Sequence, residues 1–314
     1  MSMRRGNQSH VSEFLLLGLP IQTEKQGFFA LFLGMYLTTV LGNLLIILLI
    51  RLDPRLHTPM YFFLRHLALT GISFSTVTVP KMLMNMQTQN PPITYPVCPS
   101  QVYFYMIFGC VDNLLLMVMT YDRYIAIYHP LHYTSVMRGG LCVLLVSGSW
   151  ILSCSSALPN TLLLGQASFC ADSIIPHFSC SLPKLLELSC SDTSLNELVI
   201  FTEESAVVIF PLSGILVSYG HIGLSILRVP STKRICKALS TCGSHLSVVS
   251  LFYGTMMAVY FSSSSGQSHN KDIIASMMYT VVIPMLNPFI YSLRNRDMKL
   301  ALGILFRNSN LLDK

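Results

Sequence analysis

Long apolar stretches separated by short polar connections dominate the chain. The cleanest, Phe28–Ile50, holds no charged residue. At ~1.5 Å per residue it reaches ~35 Å, enough to cross a hydrocarbon core of ~30 Å. Six more follow, near Pro59–Leu83, Cys98–Tyr128, Leu141–Leu163, Leu198–Leu227, Ala238–Ser262 and Ile273–Leu293. The pattern predicts an all-α membrane protein, a bundle of seven spanning helices over residues 28–293. Residues 1–27 precede it. Residues 294–314 follow it, and Arg294–Phe306 mixes basic positions with Leu300, Leu302, Ile304, Leu305 and Phe306. That mixture predicts a short amphipathic helix lying on a membrane surface. No soluble domain, low-complexity segment or internal repeat interrupts the series.

Composition agrees. Only 11% of residues are charged, against roughly 25% in soluble domains. A net charge of +6 would suit a nucleic-acid partner, but its distribution points to a bilayer. With the N-terminus outside, 14 Lys and Arg fall on the inner side and 6 on the outer, the bias expected of a multi-pass protein. Met1–Pro20 has only a short apolar run, Phe14–Leu17, and reads as no cleavable signal peptide. The first span then acts as the targeting signal. The sequon Asn7-Gln8-Ser9 lies on the side where a glycan is added.

Leu164–Glu197 is long for a connection and carries Cys170, Cys180 and Cys190, while Cys98 opens the third span on the same outer side. Four cysteines allow three pairings. A zinc site of these cysteines with His177 is disfavoured, because thiols outside the cell oxidise to disulfides first. At the inner end of the third span stands Asp122-Arg123, followed by Tyr124. Charge at such a depth is a functional candidate. The adjacent acid and base neutralise each other at rest, and separation would leave Arg123 the inner charge most exposed to a partner. Stop-transfer charges at a helix end are the plainer alternative.

Several motifs carry a family resemblance. Leu56-His57-Thr58-Pro59-Met60-Tyr61-Phe62-Phe63-Leu64 matches the LHTPMYFFL signature of odorant receptors, and Met119 to Ile127 resembles their MAYDRYVAI. Lys237 to Leu246 looks like KAxSTCxSHL, and Pro284 to Asn295 matches PMLNPFIYSLRN. Gly42-Asn43 and Ser218-Tyr219 also fit. The chain from Phe14 to about Lys299 is thus similar to the tetrapod-type branch of this rhodopsin-like family.

That resemblance implies a receptor, not an enzyme, with no cofactor. It implies a volatile organic ligand, a stimulatory heterotrimeric G protein raising cyclic AMP, and a place in the plasma membrane. It pairs Cys98 with Cys180 and Cys170 with Cys190. It implies that Tyr219 and Tyr291 swing toward Arg123 on activation; by position alone both fit interfacial anchors. It assigns G-protein control to Lys237 and His245. Pro284 and Pro288 remove backbone donors and soften the seventh span, and Asn287 suits the freed carbonyls.

The resemblance implies a ligand cavity among the third, fifth, sixth and seventh spans; by spacing alone the same residues fit ordinary helix packing. Tyr105, Met106, Gly109 and Cys110 share one helical face. Val207 with Glu203 and Glu204, Tyr253, Met256, Met257 and Tyr260, and Met277 and Thr280 would supply the rest. Thioethers suit loosely selective apolar binding, and tyrosine hydroxyls with Thr280 would orient one polar group. Glu203 or Glu204 facing the cavity would favour cationic amines, but an unpaired carboxylate in an apolar cavity is costly and the outer end of the fifth span near the lid can be wet, so neutral ligands are expected.

Departures from the family pattern are Gly71, usually acidic, Thr120, Tyr128, Arg65, usually serine, and Ser179 and Ser181 around Cys180. An ion pocket of Asn43 and Asp112 then lacks its second carboxylate, and weak sodium binding is expected. A channel or transporter would need ionisable residues along a midplane path or symmetric broken helices. An intramembrane hydrolase would need an acid dyad or metal cluster. Neither pattern is present.

Overall fold

In lipid, a backbone finds hydrogen-bond partners only within itself, so an apolar run of this length folds as a helix. The computed structural model describes residues 13–18, 25–88, 92–169, 174–227, 232–262 and 268–312. The first four spans are α1 (Lys25–Leu52), α2 (Pro59–Gln87), α3 (Val97–Tyr128) and α5 (Gly139–Gln166), the last preceded by a one-turn α4 (Tyr133–Val136). A short α6 (Leu182–Glu187) lies in the long outer connection. The fifth and sixth spans are α7 (Ser194–Leu227) and α8 (Thr232–Ser262). The seventh is composite: α9 (Ser268–Met277), a π-helical turn Met278–Val282 and α10 (Ile283–Arg294). Among the described residues six of these passes are long and apolar enough to cross a membrane. The exception, α8, begins with Lys233, Arg234 and Lys237 and is rich in serine, yet it packs on α3, α7, α9 and α10.

Large side chains on the outer faces of α5 and α7 show what surrounds the bundle. Ile151 and Phe201 are each 70% exposed, which is tolerable only against lipid. Inside, one apolar cluster runs from Ile46 and Leu64 through Leu115 and Met119 to Phe252 and Tyr291. Prolines interrupt α2, α5, α7 and α10 at Pro80, Pro159, Pro211 and Pro288.

The chain is not purely helical. A three-stranded sheet covers the outer side, ordered β2 (Ile93–Thr94), β1 (Glu13–Leu16), β3 (Ile174–Ile175). β1 pairs antiparallel with β2 and parallel with β3. The short apolar run Phe14–Leu17 is this strand: Phe14 and Leu16 point inward and are fully covered, beside Cys98, Leu164 and Cys180.

After the seventh span, α11 (Arg296–Leu312) follows a one-residue joint. The side chain of Asn295 accepts the Asp297 amide at 2.9 Å and thereby caps α11. The Tyr61 hydroxyl donates to the same Asn295 oxygen at 3.0 Å. Met298 and Ala301 are buried, whereas Leu300 and Ile304 stay exposed beside Arg296, Lys299 and Arg307. This is the expected amphipathic helix.

Candidate functional site

The inner half is closed by two polar contacts. Arg123 Nη2 lies 3.1 Å from Asp122 Oδ2, and the Tyr133 hydroxyl donates to Asp122 Oδ1 at 2.8 Å. Asp122 is fully buried and Arg123 only 8% exposed, so the pair faces inward and Arg123 is covered while the two charges stay together. Tyr124 lies in an aromatic group with Tyr121, Tyr128 and His221. On the facing helices, the Tyr219 hydroxyl and His245 Nδ1 are 2.7 Å apart, joining α7 to α8. His245 is buried. Tyr291 is buried too, and among the described residues its hydroxyl has no hydrogen-bond partner. Lys237 falls in α8, but its side chain lies outside the described residues.

At mid-depth, Asn43 donates to the carbonyls of Thr39 and Pro284, at 2.9 and 3.1 Å. Asp112 accepts from the Thr70 hydroxyl. The two proposed ion ligands therefore each have another partner and make no hydrogen bond to each other. Asn287 is buried with its side-chain oxygen unpaired. Pro288 backs onto Gly42, where an added Cβ would sit 3.1 Å from the proline ring. Among the described residues no group of three His, Cys, Asp or Glu is placed to hold a metal.

Toward the outer side, the expected face of α3 is assembled but largely committed. Tyr105 packs edge-on against Phe74, centroids 5.0 Å apart, and Gly109 faces the same phenylalanine. Asn113 donates to the Val207 carbonyl at 2.6 Å and accepts from the Tyr253 hydroxyl, tying α3 to α7 and α8. Thr280 donates to the Ser276 carbonyl at 2.7 Å. The donor protons of Tyr253 and Thr280, expected to orient a ligand, are thus engaged within the protein. Met106, Met256 and Met277 are half-buried. Met257 is 51% exposed and does not fit a cavity wall, although its spacing of four residues from the buried Tyr253 would put both on one helical face. The Tyr260 side chain lies outside the described residues. Cys110 and Val207 line a cavity of about 340 Å³ with Ser156 and Glu203, so the fourth span, α5, contributes a wall that was not expected. Asn160 of α5 donates to Glu203.

The lid over this region is fastened at two points. Cys98 and Cys180 form a disulfide. Gln101 accepts the Cys180 amide at 2.8 Å and donates to the Val77 carbonyl at 2.7 Å. Cys190 is also disulfide-bonded; Cys170 and the sequon at Asn7 lie outside the described residues. Sequence reasoning missed Gln101, Asn113, Tyr133 and Asn160. Polar side chains inside apolar spans were the available signal for Asn113 and Asn160; Tyr133 gave none beyond its aromatic type.

With this geometry established, comparison with known proteins decides the family. The olfactory receptor family model matches residues 32–308. The chain belongs to the olfactory receptor family. It is 66% identical to human olfactory receptor 1J4 over 99% of this chain and 100% of that protein. To human olfactory receptor 1J1 it is 64% identical, over 96% of this chain and 94% of that protein. Mouse olfactory receptor 1J21 is 63% identical, over 96% of both. The receptor is a multi-pass plasma-membrane protein and not an enzyme.

Proposed function

We propose that the receptor binds small, neutral, mostly apolar volatile molecules in the outer half of the bundle. Binding there frees Arg123 for a stimulatory G protein, which raises cyclic AMP. In this reading residues 1–27 lie outside, 28–293 form the receptor bundle, and 294–314 form the cytoplasmic helix and tail. The observation that carries the proposal is the inner lock. Arg123 is masked by Asp122, Asp122 is held by Tyr133, and Tyr291, its hydroxyl unpartnered among the described residues, lies on a helix made pliable by Pro288. Such an arrangement has a second state available, and a ligand selects it by binding it more tightly.

Glu203 supports neutral ligands. Its carboxylate already accepts from Asn160, so a protonated amine is not needed to satisfy it. The Met106, Met256 and Met277 thioethers adapt to varied shapes. The test is a screen of volatile compounds with a cyclic AMP readout. Arg123→Ala is expected to abolish the response at an unchanged surface level. Full signalling by a surface-expressed Arg123→Ala variant, or a screen dominated by amines whose effect is lost in Glu203→Gln, would overturn this reading.

A further inference from the structure

On the inner side a cavity of about 610 Å³ opens where α1 ends and α2 and α5 begin. Its walls divide by chemistry. Phe62, Met137 and Val143 are apolar, whereas Arg51, His57 and Arg65 bring basic side chains. The inner lock uses none of these three bases. Among the described residues none of them is in an ion pair. The neighbouring base Arg55 is held by Asp53 at 2.6 Å, and its hydrogen bonds keep the Asp53 carboxyl below the usual carboxylate range. Arg65 is set over the Phe62 ring, 5.3 Å from its centroid.

Two helix starts border the same space, Thr58-Pro59 of α2 and Gly139 of α5. Neither cap residue, Thr58 or Arg138, supplies a side-chain cap hydrogen bond. The first amides of a helix have no acceptor within it and favour an anion. Val143, on the same wall, is 57% exposed and opens the cavity sideways to lipid. The surroundings are thus cationic at the end of the first span and apolar toward the bilayer interior.

We propose that this cavity holds an anionic phospholipid of the inner leaflet, its headgroup on Arg51, His57 and Arg65 and its acyl chain against Phe62 and Val143. A zwitterionic phospholipid carries no net negative charge to offset these bases. A free anion would leave the apolar wall uncovered. The three bases lie outside both the ligand cavity and the inner lock. The site does not depend on which volatile ligand the receptor takes.

The full-length receptor, delipidated in detergent and titrated with phosphatidylserine or phosphatidylcholine, is read by native mass spectrometry. One saturable phosphatidylserine adduct is expected, with phosphatidylcholine binding far more weakly. Losing one surface base should weaken the adduct about fivefold in Arg65→Ser, and about twenty-fivefold in Arg51→Gln with Arg65→Ser. Arg65→Lys, which keeps the charge and guards against misfolding as the cause, should stay within about twofold of the native chain. Arg307→Gln, an equally cytoplasmic base on α11, should change nothing. Equal binding of phosphatidylcholine would overturn the proposal. So would equal losses in Arg307→Gln and Arg65→Ser, which mark diffuse attraction, or displacement by excess inorganic phosphate, which marks a free-anion site.

Discussion

Gly42 and Gly71 sit on adjacent helices and look interchangeable in the sequence, but their surroundings set them apart. A Cβ at Gly42 would press within 3.1 Å of the stiff Pro288 ring. At Gly71 the nearest atom would be 3.6 Å away, an ordinary contact. Gly71→Ala is therefore expected to stabilise α2 by about 1 kcal/mol through helix propensity. Gly42→Ala should destabilise the α1–α10 contact by about 1–3 kcal/mol. Thermal unfolding of the two purified variants checks this, and equal midpoints would contradict it. Gly71 also bears on ions. Among the described residues Asp112 is met by Thr70 alone, so the response of the native receptor should change little when sodium is replaced by a large organic cation. Gly71→Asp adds a carboxylate beside Asn43 and should create a sodium dependence in the dose–response curve. A strong sodium effect that is identical in both forms would show this account of the pocket to be wrong.

At the scale of elements, the lid and α11 are held by few residues and yield sharp expectations. Non-reducing peptide mapping should recover Cys98 joined to Cys180 and Cys170 joined to Cys190. Loss of the first bridge in Cys98→Ser should cost about 2–5 kcal/mol and lower the surface level. Asn295→Ala removes the cap of α11 together with the Tyr61 bond, and should cost at least the ~1 kcal/mol of a lost helix cap, read as a lower unfolding midpoint. The spans themselves were legible because lipid demands ~20 apolar residues in a row: the third was expected from Cys98 and begins at Val97. The sixth was expected from Ala238 and begins at Thr232, because basic residues that suit the interface continue a helix perfectly well. The sheet was illegible, since two of its strands are two residues long and alternation cannot show in so few. The π turn at Met278–Val282 has no local composition to betray it. Ser75 of α2 donates to the Thr280 carbonyl within it at 2.6 Å, a tertiary contact. Inward faces past such a turn cannot be counted from spacing alone, and on α8 even regular spacing put Met257 on the wrong side.

Across the whole molecule, α3 is the strut between lid and lock. Cys98 opens it and Arg123 lies 25 residues on, ~38 Å along the axis. Between them Gln101 holds the lid, Asn113 joins α7 and α8, and Asp122 meets Tyr133. Tyr133→Phe is expected to weaken the hold on Asp122 and raise ligand-independent cyclic AMP. An unchanged basal level at equal surface expression would argue against Tyr133 as part of the lock. Sequence motifs revealed the two ends of this strut, because charge and cysteine are rare in apolar runs. Its middle was hidden because Asn113 acts through partners on distant helices. The outer sheet, finally, imposes an order of events on biosynthesis. β1 is made among the first residues, yet its parallel partner β3 is roughly 160 residues downstream. At about 5–20 residues per second, the N-terminal strand waits on the far side of the membrane for roughly 8–30 seconds before this last partner arrives. Until then Ile93, Tyr95 and Val102 cover Phe14 and Leu16 only in part, these two side chains stay accessible to chaperones and to other nascent chains, and synthesis of the fourth span and the loop beyond it completes the cover.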